Sequence, residues 1–506
     1  MFRSLFINTG SNLFVVAVKL VITFIMTPLL VHNLGNYDYG VWEIMVAILG
    51  YMGLLDMGLK PAISRFAAQY NASNDTKKLQ ELYSTSFVFL AIVGLVLCVF
   101  FIVWGMYWPD SISENNEKQF RYVFLLFVLG AQLLVVFPGY VAESFLEGFQ
   151  KYYLKNNITI VNSIVGSSIV YFIIEPSNAL ILLVGMNAIG IVLKYLIYMY
   201  LLSLEKFGGL KPSIKTSTWH SFKETIDFGA KSLIQGIASR IEVGTDTVVI
   251  GYFMGPAVVL FYSIPAGLIS YVRNIGWTIT HAFMPLFSEM HATEKSEEIR
   301  DLYLNASKYV VALLLPTCVG ITLVGSDFIG VWVGEEYLKD ADTIILLLVL
   351  YMALPFLNPF STRYLTAIGE HGLLAKLHPI SASVNLIASI ILVQYWGIVG
   401  VAIGSVIPIF FLVPMVLKAC CGFLGITVSR YLMVSVVPSI IPTIAMWCAV
   451  YLYRQNYLLN SYVAIITAAL AGAIVYCFIY YLVSMKLNER QWLKAQFGKV
   501  LSGLSR

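Results

Sequence analysis

The chain has 506 residues, of which 59% are hydrophobic and only 12% are charged, and its mean hydropathy is +0.80. Soluble domains carry about 25% charged residues, so this composition excludes a soluble globular protein and indicates a membrane protein with many spans. The net charge of +4 is too small to indicate binding to nucleic acid.

Stretches of about 20 apolar residues cross a bilayer as helices. By this criterion the sequence predicts an all-α integral membrane protein with about fourteen transmembrane helices. The predicted spans lie at approximately 5–30, 40–65, 82–107, 120–144, 156–175, 179–203, 228–253, 257–284, 306–332, 342–366, 373–395, 398–419, 430–453 and 462–485. The longest segment between them, 204–227, is polar and contains lysines, and it is too short for a folded domain.

The distribution of basic residues sets the predicted orientation. When the N-terminus is placed in the cytoplasm, nearly all Lys and Arg residues outside the spans fall on the cytoplasmic side, as the positive-inside rule requires. Both termini are therefore expected to be cytoplasmic. Residues 486–506 place apolar side chains at helical spacing opposite Arg490, Lys494 and Lys499. This pattern predicts a basic amphipathic helix at the membrane surface, with a solvated tail as the alternative.

An internal repeat appears when the chain is shifted by about 220 residues. The segment 75–83 (DTKKLQELY) then aligns with 295–303 (KSEEIRDLY), and Gly35 aligns with Gly255. Because an even number of spans separates the copies, both should have the same orientation and be related by an axis normal to the membrane. The sequence therefore predicts two six-helix lobes and two extra C-terminal helices, divided as follows: an N-terminal lobe at 1–203, a cytoplasmic linker at 204–227, a C-terminal lobe at 228–420, helices 13–14 at 430–485 and a tail at 486–506.

Four basic residues lie deep inside predicted spans, away from the cytoplasmic ends to which the other basic residues are assigned: Lys19, Lys194, Arg240 and Arg273. A charge at the centre of a transmembrane helix costs roughly 2.5–3.5 kcal/mol on insertion scales, so such residues usually have a function. Counting 1.5 Å per residue from the cytoplasmic helix ends places them at depths of roughly 14–21 Å, towards the midplane of the bilayer. They are predicted to line a polar cavity that receives an anionic substrate.

Other polar residues share these helices. Asn274, Trp277 and His281 follow Arg273 at helical spacing and are predicted to bind substrate with it. The acidic residues Asp56, Glu242 and Asp246 are candidates for coupling transport to protons or Na⁺. The alternative is that some of these charges form internal salt bridges, such as Asp56 with Arg273 or Arg240 with Glu242.

Enzyme and cofactor signatures are missing from the sequence. It contains no Walker A loop, no GxSxG and no GxGxxG, and its histidines and cysteines form no spacing typical of a metal site. We therefore expect a transporter without a bound cofactor or metal.

Two motifs resemble those of a known family. Residues 34–68 read LGNYDYGVWEIMVAILGYMGLLDMGLKPAISRFAA, and residues 329–342 read IGVWVGEEYLKDAD. These segments resemble the motifs that flank helix 2 and lie around helices 9 and 10 in the polysaccharide-unit transporters, the Wzx-type O-antigen and exopolysaccharide flippases. That family is a branch of the multidrug/oligosaccharidyl-lipid/polysaccharide exporter superfamily, and the resemblance extends over nearly the whole chain.

The resemblance implies a function. Members are expected to flip undecaprenyl-pyrophosphate-linked oligosaccharide units from the cytoplasmic to the periplasmic leaflet of the bacterial inner membrane by alternating access, for O-antigen, capsule or exopolysaccharide synthesis. Lipid-linked oligosaccharide and membrane lipids are the implied partners, together with polysaccharide polymerase and chain-length proteins. The alternatives are a peptidoglycan-precursor flippase, a multidrug cation antiporter of the same fold, and a polymerase or ligase of the same pathway.

Overall fold

A computed structural model describes residues 2–53, 58–107, 116–281, 283–370 and 372–491; within these ranges it leaves out the side chains of 2–9, 13, 116–121, 206, 230–243 and 285. The described ranges consist of helices and short connections, without a β-strand. The helices are α1 (Phe2–Met52), α2 (Leu59–Ala72), α3 (Thr76–Tyr107), α4 (Asn116–Gly148), α5 (Tyr152–Ile173), α6 (Ala179–Ser203), α7 (Trp219–Met254), α8 (Pro256–His281), α9 (Met284–Ala292), α10 (Ser296–Trp332), α11 (Ala341–Phe356), α12 (Ser361–Ala367), α13 (Gly372–Leu424), α14 (Val428–Tyr431), α15 (Val437–Asn456) and α16 (Tyr462–Ile479).

Ten helices of the described ranges are long and apolar enough to cross a membrane, or eleven if the bent pair α11 and α12 is one span. The predicted class, an all-α integral membrane protein, is confirmed. The count of fourteen spans stays a prediction.

Two of the helices are far longer than one crossing needs. Helix α1 has 51 residues and breaks at Gly35 (φ 69°, ψ 174°), and α13 has 53 residues and breaks at Gly397 (φ 56°, ψ −136°). A residue with a side chain rarely adopts such a positive φ, so glycine permits the chain to end one helix and begin the next there. Each of these helices is therefore two segments that meet at a glycine.

The chain divides into two compact units, Met1–Arg240 and Ile241–Arg506. In the first unit, the core lies among α2, α3, α4 and α6, and α3 packs extensively on α4. In the second unit, the last two long helices, α15 and α16, pack together and against α10. The boundary falls within α7, whereas the sequence predicts it at the linker 204–227, and those predicted domain limits stay a prediction.

Each unit contains the features that the predicted repeat aligns. Asn74 has φ 54° and Glu294, 220 positions later, has φ 55°, and both lie just before a long helix (α3 and α10). The aligned Tyr83 and Tyr303 are 1% and 0% exposed in their own units. Such positive φ values are uncommon outside glycine, so their recurrence at one spacing supports the repeat.

Two predicted spans differ from the structure. The span 40–65 is interrupted, because α1 ends at Met52 and α2 begins only after Gly58, which is left-handed (φ 69°). The span 342–366 bends by 42° between α11 and α12. Pro355 and Pro359 lie at this bend, and proline removes backbone hydrogen bonds from a helix. Most of the predicted amphipathic tail lies outside the described residues.

Candidate functional site

An ion-pair chain links three helices of the first unit. The Nζ atom of Lys60 on α2 lies 2.7 Å from Oε2 of Glu143 on α4. The Nζ atom of Lys155 on α5 lies 4.0 Å from Oε1 of the same carboxylate and 2.6 Å from Oε1 of Glu147. The side chains of Glu143 and Lys155 are only 14% and 18% exposed, so salt screens these charges less than it would at the surface.

Two further lysines belong to the same electrostatic environment. Lys194 on α6 lies with its Nζ atom 4.1 Å from the centroid of the Tyr195 ring, in a cation–π contact. It is attracted by Glu143 and repelled by Lys19 on α1, as well as by the two lysines of the ion-pair chain. We call the whole set the basic cluster: Lys19, Lys60, Lys155 and Lys194 with Glu143 and Glu147. Its four cations outnumber its two carboxylates, so it carries surplus positive charge.

Close helix packing holds the cluster together. A Cβ atom at Gly139 on α4 would lie 2.5 Å from the Tyr195 ring, so glycine is what lets α6 approach α4. The hydroxyl of Tyr195 donates to Glu143 at 3.4 Å, and the hydroxyl of Tyr198 donates to the carbonyl oxygen of Lys155 at 3.0 Å. The tyrosines of α6 therefore fix the position of groups on α4 and α5.

Helix α8 of the second unit carries a second cationic and aromatic surface. Trp277 is 58% exposed, and the Arg363 guanidinium on α12 lies 4.8 Å from the centroid of its ring. The Nε atom of Arg363 is buried without a hydrogen-bond partner among the described residues. An exposed indole face supported by a guanidinium suits the stacking of a sugar ring, and the guanidinium suits an anion. We call this set the α8 surface: Arg273, Asn274, Trp277, His281 and Arg363.

A buried carboxylate lies elsewhere in the second unit. Asp246 on α7 is 7% exposed, and its Oδ2 atom accepts hydrogen bonds from Tyr262 on α8 and from Ser405 on α13, the latter at 2.9 Å. The Ser405 hydroxyl itself accepts from Asn385 at 3.0 Å. Within the described part of the chain, Asp246 Oδ1 and Asn385 Oδ1 have no hydrogen-bond partner and no basic side chain is paired with the carboxylate. A buried carboxylate with one free oxygen, together with the free amide oxygen of Asn385, suits a proton or a small cation.

The structure describes most of the predicted site residues. It places Lys19 and Lys194 in the basic cluster, and Arg273, Asn274, Trp277 and His281 together on α8. Asp56 and the side chains of Arg240 and Glu242 lie outside the described residues. The predicted roles of all these residues, and the prediction that they line one cavity, stay predictions. In the described residues no cluster of His, Cys, Asp or Glu could hold a metal ion.

Sequence reasoning missed three basic residues of these surfaces. Lys60, Lys155 and Arg363 are assigned to cytoplasmic segments by the charge distribution, although Lys60 and Arg363 lie inside the predicted spans 40–65 and 342–366. For Lys60 and Arg363, the position inside a span was the signal that could have identified them. Glu143 and Glu147 are one helical turn apart, which is the spacing that places two carboxylates on one face.

A family model described as "Polysaccharide biosynthesis protein" matches residues 5–291 of the chain. The chain belongs to this family. A protein of Shigella flexneri named as an O-antigen transporter is 25% identical over 78% of the chain and 93% of its own length. A protein of Haloferax volcanii named as a low-salt glycan biosynthesis flippase is 20% identical over 77% of each chain. The named relatives are transporters rather than enzymes, which confirms the predicted class.

Two solved structures of transporters are similar to the chain in fold. The lipid II flippase MurJ in an inward closed conformation has a TM-score of 0.73 at 14% identity, over 94% of this chain and 98% of that chain. An inward-facing multidrug resistance transporter of the MATE family, in the MOP superfamily, has a TM-score of 0.67 at 15% identity, over 81% and 98%. At such identities the similarity establishes the fold and not the substrate.

Proposed function

We propose that the protein flips lipid-linked oligosaccharide units, carried on undecaprenyl pyrophosphate, from the cytoplasmic to the periplasmic leaflet of a bacterial inner membrane. The polymer would be O-antigen, capsule or exopolysaccharide, and polymerase and chain-length proteins would act on the delivered units. Both termini would be cytoplasmic, in keeping with the distribution of Lys and Arg. The names of the relatives support a saccharide substrate.

The basic cluster is the observation that carries this proposal. A pyrophosphate is multiply negative, and the cluster offers four lysine ammonium groups within helices α1, α2, α5 and α6. Only two carboxylates oppose them, so a bound phosphate would relieve repulsion among the lysines rather than compete with an already neutral network. A transporter of cationic drugs would require the opposite balance.

The α8 surface suits the sugar part of such a substrate. The half-exposed Trp277 ring offers a face for a sugar ring, and Arg273 and Asn274 on the same helix offer hydrogen-bond donors for hydroxyl or carboxylate groups. Alternating access would expose the phosphate and sugar groups of the substrate first to one side of the membrane and then to the other, while its lipid chain stays in the bilayer.

Coupling to a proton or Na⁺ would use Asp246. A buried carboxylate without a basic partner in the described residues is costly unless it binds a cation or a proton. Binding there would draw in the unpaired Oδ1 atoms of Asp246 and Asn385 and so change the contacts between α7 and α13. Such a change gives ion binding a route to bias the conformation of the second unit.

The test is the leaflet position of the lipid-linked oligosaccharide in cells that lack the protein. The proposal expects unflipped units to accumulate in the cytoplasmic leaflet, and wild-type protein to restore export. A Lys194→Gln variant should restore export poorly, whereas Lys418→Gln, which changes an exposed lysine at the end of α13, should restore it fully. Normal export in cells without the protein would overturn the proposal.

A further inference from the structure

The segment 208–219 of the linker is fixed to the first turns of α3. The backbone N–H of Ser213 and the hydroxyl of Thr216 donate to the Ser84 hydroxyl at 3.2 and 2.8 Å, and the backbone N–H of Thr218 donates to the Thr85 hydroxyl at 3.0 Å. Ser84 and Thr85 are 0% and 5% exposed. The segment is therefore an ordered part of the first unit, held by hydrogen bonds to α3, and not a solvated loop.

This attachment lies where α3 changes from polar to apolar. Residues 76–86 read TKKLQELYSTS and residues 87–107 read FVFLAIVGLVLCVFFIVWGMY. Beyond Phe87 the helix exposes large apolar side chains, among them Ile92, Leu95 and Val96 at 54–62%. Such exposure is expected of a surface that faces lipid, so the linker segment lies at the level where the hydrocarbon region begins.

A groove separates the linker segment from α3 at this level. It has a volume of about 430 Å³, within the range of small-ligand sites, and its walls are almost entirely apolar. Its lining residues are Phe87, Val88, Ala91, Ile92, Leu95, Pro212, Ser213 and Ile214. Ile214 is 81% exposed, so the linker side of the groove also presents an apolar side chain outward.

Two exposed lysines flank the linker side of this groove. Lys211 precedes Pro212 and Lys215 follows Ile214, and residues 208–219 contain no acidic residue. The groove is apolar along α3 and has two lysines beside its linker side. It is therefore complementary to a molecule with an acyl chain and an anionic headgroup. Basic residues next to a membrane surface each strengthen the attraction to anionic lipids.

We propose that this groove binds an anionic phospholipid of the adjacent leaflet, with an acyl chain along Phe87, Ala91 and Leu95 and the phosphate near Lys211 and Lys215. On the orientation proposed above, that leaflet is the cytoplasmic one. The bound lipid would hold the linker segment against α3 at the membrane surface.

Binding can be measured without transport, so failure of this proposal is distinguishable from failure of the proposed function. Native mass spectrometry of the full chain in detergent would be titrated with palmitoyl-oleoyl phosphatidylglycerol and, separately, with the matching phosphatidylcholine. We expect tighter binding of the anionic lipid, and at least about a fivefold loss in the Lys211→Gln/Lys215→Gln double variant, since both lysines are exposed and their charges are removed. Ala91→Trp, which fills the groove, should weaken binding of the anionic lipid in the same way.

The matched controls are Lys418→Gln, an exposed lysine on α13, and Val99→Trp, a lipid-facing position two turns further along α3. Both should bind phosphatidylglycerol like the wild type. Equal binding of the two lipids, or the same affinity in the groove variants and in the controls, would overturn the proposal. So would displacement of phosphatidylglycerol by an equal amount of undecaprenyl phosphate, because the groove would then belong to the lipid chain of the substrate.

Discussion

Lys60 and Glu143 are 83 residues apart in the sequence, and the Lys60 Nζ atom lies 2.7 Å from the Glu143 Oε2 atom. This ion pair joins α2 to α4 and continues through Lys155 to Glu147. The Lys60 ammonium also lies 4.3 Å from the centroid of the Tyr140 ring. The pair is thus one end of a network in which the carboxylates hold Lys60 and Lys155 in place. Lys194 is repelled by these two lysines and by Lys19.

Removing the central carboxylate should destabilise the first unit. Glu143→Gln leaves Lys60 and Lys155 without their shared partner, and breaking a buried pair costs about 3–5 kcal/mol. We expect a lower melting temperature in detergent. Combining Glu143→Gln with Lys60→Met should recover part of the loss, because no ammonium then lacks its partner at that position; equal melting temperatures for Glu143→Gln and wild type would contradict the network.

Charge, rather than shape, should matter at Lys194. Lys194→Arg keeps the cation over the Tyr195 ring, whereas Lys194→Met keeps the apolar stem and removes the charge. We expect the first variant to retain most transport and the second to lose at least about tenfold in rate, on the scale of a charge-assisted hydrogen bond to phosphate. Measurement of initial transport rates at equal protein levels would check this. Equal rates in the two variants would show that the charge is not used.

The carboxylate of Asp246 should set the ion dependence of transport. Asp246→Asn retains the size and one acceptor oxygen but loses the charge, so transport should no longer respond to an imposed Na⁺ or proton gradient. Tyr262→Phe removes one hydrogen bond to the same oxygen and should shift the ion concentration needed for half-maximal rate, while keeping the response. Transport that responds to both gradients as before in Asp246→Asn would exclude this residue as the coupling site.

The α8 surface should distinguish the saccharide from the lipid phosphate. Trp277→Ala removes the exposed ring that Arg363 supports, and stacking on such a ring is worth about 0.5–1.5 kcal/mol in aromatic pairs. We expect about a twofold to twelvefold weaker affinity for a substrate with a long saccharide. Affinity for undecaprenyl pyrophosphate alone should change little, and a similar loss for both ligands would contradict a role in sugar binding.

A second ion pair should make stability depend on pH. Burial alone would raise the pKa of Glu489, but hydrogen bonds from Lys308, from the backbone N–H of Lys486 and from the Tyr309 hydroxyl outweigh it and hold that pKa below its ordinary value of 4.5. A carboxylate whose pKa is lowered by folding stabilises the folded state above its unfolded pKa, and this contribution is lost as the pH falls through the folded pKa.

Glu489→Gln should therefore lower the melting temperature at pH 7 and have a smaller effect in acid, at a pH below the lowered folded-state pKa of Glu489, where wild type has itself lost the charged pair. The Lys308 side chain is only 3% exposed, so in this variant water cannot solvate the ammonium group that has lost its carboxylate partner. The control is Glu298→Gln, since the Lys295–Glu298 pair is exposed and contributes little. A destabilisation by Glu489→Gln that is the same at both pH values would contradict the assignment.

The membrane fold was readable from the sequence because hydropathy and the positive-inside rule act on whole spans. The aligned glycines of the predicted repeat were also readable, since Gly35 and Gly255 mark breaks between helical segments at φ 69° and 85°, a backbone conformation that glycine adopts most easily. The bend after Pro355 was harder to predict from the sequence, because the sequence stays apolar on both sides of it.

The pairing of charges was not readable, because partners lie far apart in the chain. Asp246 was a candidate because it is an acidic residue in a predicted span, but its contact with Ser405, 159 residues away, depends on tertiary packing. Lys60 was assigned to a cytoplasmic segment because it lies near other basic residues at the end of a span, where the positive-inside rule expects them. Only the packing of α2 and α6 against α4 shows that Lys60 is part of the same basic cluster as Lys194.

The central claim is that surplus lysine charge in the first unit carries the phosphate of a lipid-linked oligosaccharide across the bilayer. The most direct measurement reconstitutes the purified protein in liposomes loaded with fluorescent lipid-linked oligosaccharide and follows the fraction that becomes accessible from the opposite leaflet. We predict transfer by wild type and by Lys418→Gln, and little above the protein-free rate by Lys194→Met. Transfer by Lys194→Met at the wild-type rate, or none by wild type under an imposed Na⁺ or proton gradient of either direction, would contradict the account.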